Sequence, residues 1–166
     1  MKRYLRCLAW FAIIGVLMCL VATGLGRQST PGAAVVSGFL VFVSGQFVLK
    51  LVLEPVVSFK ESLGALSAFC LANSAGISNA NASKAHRAEF REVKAAVLSK
   101  KAAVPWYTAI AFLLALPEES ALRKADELLN EVGYGMVGEG RLSAIETTQT
   151  LRNAGQLLGI RVFYGS

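Results

Sequence analysis

The residues able to do chemistry are few and scattered. A single histidine, His86, stands among Lys84, Arg87, Arg91 and Lys94, and no second histidine exists to join it in a metal site. Cys7, Cys19 and Cys70 have no spacing that suggests a disulfide framework or a zinc site, so they read as buried or lipid-facing thiols. Gly133, Gly135 and Gly138 satisfy G-x-G-x-x-G, a pattern whose chemistry is the cradling of a pyrophosphate at a helix N-terminus. That chemistry requires a preceding strand, whereas Asp126 to Val132 reads as the end of a helix. A connection or a close helix crossing accounts for these glycines. Glu118 and Glu119 form an acid pair, but they open a helix, where the positive end of its dipole accounts for carboxylates. One histidine without a nucleophile elbow gives Ser-His-Asp chemistry no support. The expectation is a non-enzymatic protein with no cofactor and no metal.

The elements that hold these residues follow from composition. Of 166 residues, 54% are hydrophobic and 17% charged, against roughly 25% charged in an average soluble domain. The apolar excess is concentrated near the N-terminus. Arg6 and Arg27 bracket an uncharged stretch, and Arg27 and Lys50 bracket another, each close to the roughly 20 residues that cross a bilayer as a helix. The loop Gly24–Gly32 carries Pro31, which suits the first turn of the second helix. The reading is a transmembrane helical hairpin in residues 1–55, with spans at about 7–26 and 32–53. Lys2, Arg3 and Arg6 precede the first span and Lys50 and Lys60 follow the second, which puts both termini in the cytoplasm of an inner membrane. A cleaved secretory signal is the competing reading: Leu8 to Ala22 is an apolar run, and Ala22-Thr23-Gly24 offers small residues at a cleavage site. It would place the remainder outside the cytoplasm.

Within the second span, Ala34, Gly38 and Gly45 share a face on which helices could approach closely. Gln46 adds an intramembrane amide, of the kind usually paired across helices. This face is expected to pack the hairpin or to join subunits.

Residues 56–166 read as a small cytoplasmic helical bundle, so the fold class is all-α. The second span continues as a helix to about Ala72, with Lys50 and Glu54 spaced to pair and Pro55 kinking it. Asn73 to Ser83 is a loop, with Ser83 the N-cap of a helix from Lys84 to Lys101. Lys84, Arg87, Arg91 and Lys94 make a basic stripe on that helix, either a solvated face or a contact with anionic headgroups. Trp106 to Leu116 is apolar and too short to span, so it is a core helix or an interfacial one. A helix starting at Pro117-Glu118-Glu119 ends at the glycine-rich break from Gly133 to Gly140. Ser143 and Glu146 have capping-box spacing before a final helix, and Ile160 to Tyr164 is ambiguous.

Gly45-Gln46, Lys50, Glu54-Pro55, Phe59-Lys60, Gly64, Ala72-Asn73 and the closing Leu157-Leu158-Gly159-Ile160 resemble a family of small, uncharacterised bacterial membrane proteins. The resemblance implies two membrane helices followed by a cytoplasmic helical domain, and no catalytic residues. Ala72-Asn73-Ser74-Ala75-Gly76 departs from a more aromatic segment there.

The formal charge of +6 raises the question of nucleic acid. Lys2, Arg3, Arg6, Arg27 and Lys50 flank the spans, however, and from Glu54 onward 12 basic residues face 11 acidic ones. No nucleic-acid partner is expected. The expected partners are the lipid bilayer, further copies in a homo-oligomer and an unidentified protein. The functional expectation is an integral inner-membrane protein whose cytoplasmic domain mediates self-assembly or partner binding. The alternative is an oligomeric membrane-disrupting or channel-like effector.

Overall fold

The computed structural model describes residues 31–164, with side chains from Val35 onward. The expected first span, with Cys7 and Cys19, lies outside the described residues. Two compact units divide between Leu49 and Lys50.

In the first unit, α1 (Pro31–Val48) has Pro31 at its first position, where a missing N–H breaks no helical hydrogen bond. Val35, Val36, Phe39, Val41, Phe42, Phe47 and Val48 are all exposed on it. A helix apolar on all sides belongs in a large core or in lipid.

The second unit contains α2 (Glu54–Ala72), α3 (Ser74–Ser78), α4 (Lys84–Ala103), α5 (Tyr107–Leu114), α6 (Glu119–Gly135) and α7 (Ala144–Leu158). No strand occurs among the described residues, and Ile160 to Tyr164 is an irregular tail. The all-α class therefore holds. A π-helical segment, Leu49–Leu53, leads into α2. It corrects the expected regular spacing there: Pro55 has no N–H to donate and its ring crowds the preceding turn, and a wider turn absorbs the mismatch. Lys50, inside that segment, and Glu54, just after it, make none of the ion pairs seen among the described residues.

The expected loop after Ala72 contains α3, held by the fully buried Ile77. α6 also passes through Gly133 and ends at Gly135, beyond the expected break. The reason is close packing on α7 and α4. A Cβ added at Gly135 would collide with Thr147 Oγ1 on α7, and one at Gly133 would touch the Phe90 ring on α4 at 3.6 Å.

Two helix pairs build the core, α2 with α4 and α6 with α7, while α3 packs on α7 and α4 on α6. Phe59, Leu66, Ile77, Phe90, Val132 and Leu151 are among its fully buried side chains. Phe69 meets Phe90 with ring centroids 5.6 Å apart, tying α2 to α4. The Ser67 hydroxyl donates to the Arg161 carbonyl, docking the tail on α2. Ser83 caps α4 as expected, its hydroxyl accepting from the His86 N–H. Ser143 and Glu146 form the expected reciprocal capping box at the start of α7.

Candidate functional site

Two regions gather residues singled out by the sequence. The first is α1. Gly38 and Gly45 are exposed, and a Cβ added at either would meet nothing within 4 Å. Gln46 is exposed too. Ala34 belongs to α1, but its side chain is outside the described ones.

The second region is a groove of about 540 Å³ between α4 and α6. Phe90 and Leu129, with Gly133 between them, give it an apolar floor, and Arg87, Arg91 and Lys94 line its α4 side. The basic stripe is thereby placed beside acids that lie far along the chain. Arg87 Nη1 lies 2.6 Å from Glu139 Oε2, and its guanidinium sits 4.2 Å from the centroid of the Tyr134 ring. Lys84 Nζ is 3.4 Å from Glu139 Oε1. Lys94 Nζ is 2.9 Å from Asp126 Oδ1 and donates to Asn130 Oδ1 at 2.5 Å. Asp126 Oδ1, buried and without a hydrogen bond of its own, is thus held by the charge of the ammonium. Arg91 is exposed.

Sequence spacing gave no sign of Glu139, Asp126, Asn130 or Tyr134 as partners of this stripe. Lys94 and Asp126 stand 32 residues apart, so only the packing of α4 on α6 brings them together.

A smaller cluster joins α4, α5 and α6. Lys101 Nζ lies 2.6 Å from Glu119 Oε1, and that hydrogen bond and charge hold the Glu119 carboxyl below the usual carboxylate range. The Tyr107 hydroxyl donates to the Pro117 carbonyl at 2.6 Å, and burial, reinforced by the Glu119 charge, pushes that hydroxyl up to about 12. Hydrogen bonds from Ser143 hold the Glu146 carboxyl low as well. The two carboxylate shifts each have a structural partner, Lys101 for Glu119 and Ser143 for Glu146.

His86 is exposed in the first turn of α4. Among the described residues, no group of three or more histidine, cysteine, aspartate or glutamate side chains could hold a metal ion. The Gly133 to Gly138 run lies on the end of α6 and the turn after it, without the strand that dinucleotide binding requires.

Comparison with protein-family models, curated proteins and solved structures gives no match for this chain. The class that the fold itself defines is an all-α protein. Among the described residues, one continuous helical stretch, Val35–Ala72, is long and apolar enough to cross a membrane.

Proposed function

We propose that the chain is a two-pass inner-membrane protein, with both termini cytoplasmic, whose helical domain mediates self-assembly or partner binding. The observation that carries this reading is the exposure of large apolar side chains on every side of α1. Removing the exposed parts of seven such side chains from water is worth about 1–2 kcal/mol each, or on the order of 10 kcal/mol together, which lipid supplies and water does not. Lys50 ends the uncharged stretch in the π-helical segment, where its long side chain can reach the headgroups. The sequence resemblance to small two-helix membrane proteins supports the same architecture.

Reporter fusions after Arg27 and at Ser166 test the topology. The expected result is a periplasmic signal at Arg27 and a cytoplasmic one at Ser166. A periplasmic C-terminus would overturn the reading.

A second reading, an oligomeric channel-like effector, draws on the open space at Gly38 and Gly45, which leaves room for another helix at close range. Crosslinking in membranes together with dye leakage tests it. A monomer that leaves vesicles tight excludes it.

A further inference from the structure

We propose that the exposed part of α5, Phe112 with Leu113, is a second membrane contact that dips into the interfacial layer of the bilayer crossed by residues 32–53. This rests on the spanning reading given above and adds a site to it. α5 has the sequence Tyr-Thr-Ala-Ile-Ala-Phe-Leu-Leu, without a charge. Its inner side, Tyr107, Ile110 and Ala111, is buried, while Phe112 is 93% exposed and Leu113 78%. Scattered apolar residues on a surface need no explanation, but these two are adjacent and give α5 an uncharged outward face left almost wholly in water.

The position of α5 says what covers them. The Tyr107 ring meets the Phe59 ring edge-on, 5.7 Å between centroids. Phe59 follows Leu53, the last residue of the proposed span, by six positions, about 9 Å at a helical rise of about 1.5 Å per residue. Val52, inside that span's last turn, is packed against the core of the domain. α5 is therefore docked at the end of α2 that emerges from the bilayer. At eight residues it cannot cross, so the headgroup boundary is the lipid location open to it. Trp106 precedes it directly, an aromatic type favoured in that layer, and the exposed Lys100 closes α4 just before. A second copy of the chain is the other candidate occupant. Two side chains offer far less than the roughly 800 Å² per partner of a stable protein interface.

The test uses the full chain in vesicles of phosphatidylcholine and phosphatidylglycerol, with Cys7 and Cys19 replaced by serine and Cys70 buried. An environment-sensitive NBD fluorophore is attached at Leu113→Cys and, as a control, at Ile145→Cys, an 83% exposed site on α7. The expected result is blue-shifted emission at position 113, lost when nitroxide-labelled lipids are included, with water-like and unquenched emission at 145. Water-like emission at 113 in a chain that resists carbonate extraction overturns this proposal and leaves the spanning reading intact. Blue-shifted emission that nitroxide lipids do not quench also overturns it, because protein then covers the site. A chain that carbonate strips from the vesicles overturns the spanning reading, and this proposal with it.

Discussion

Gly135 and Gly64 separate the two physical roles that glycine plays in this chain. At Gly135 a Cβ would collide with Thr147 across the α6–α7 crossing, whereas at Gly64, exposed on α2, it would meet nothing within 4 Å. Gly135→Ala should therefore lower stability by about 1–3 kcal/mol through overpacking, and Gly64→Ala should raise it by about 1 kcal/mol through helix propensity. Thermal melting of the full chain in detergent micelles measures both. Lys94 gives a charged counterpart. Lys94→Met removes the cation beside a buried Asp126 oxygen and should cost about 1–3 kcal/mol, part of which Asp126→Asn in the same chain restores. The helical reading of Asp126 to Val132, not the glycine pattern, showed that a nucleotide site lacked its context. That Gly135 is helical and faces Thr147 depends on a residue twelve positions away on another helix, which no local pattern carries.

Helix boundaries set by local chemistry were legible before the structure, and those set by packing were not. The Ser83 cap and the Ser143–Glu146 box are contacts between residues three apart, so the spacing specified them. α3 is a single turn without apolar periodicity, and it exists because Ile77 is buried against neighbours distant in sequence. The π-helical segment likewise reflects Pro55 acting on the turn before it, where the sequence suggested a kink alone. The cap on α7 has a pH signature. The folded Glu146 carboxyl titrates below the ordinary value of 4.5, so its stabilising contribution is complete above that value and is lost as pH falls through the lower folded value. Melting temperature against pH should show this acid-side loss in the wild type and less of it in Glu146→Gln. Ser143→Ala should cost about 1 kcal/mol at neutral pH in the same assay. Ala115, at the C-terminal end of α5, has φ +50°, a left-handed conformation that favours glycine. Ala115→Gly should raise the melting temperature, against the usual effect of introducing glycine.

Across the whole molecule, apolar surface and charge are segregated. The excess of basic over acidic residues lies before Glu54, beside stretches apolar enough to span, and the remainder is nearly balanced. Within the helical domain, three of the four basic-stripe residues face acids on α6 or in the turn after it. Such pairing was invisible to the sequence because the stripe and its acids belong to different helices. What the sequence did show is the long apolar stretch, and the exposed side chains of α1 give it a physical demand for apolar cover, which the proposed span meets with lipid. The demand is tested most directly by alkaline carbonate extraction of membranes from cells making the full chain, with Phe42→Arg alongside the wild type. A charge at the centre of a span costs about 2.5–3.5 kcal/mol of insertion free energy. The wild type should remain in the membrane pellet and Phe42→Arg should shift measurably to the supernatant. Wild-type protein recovered in the supernatant would contradict the account.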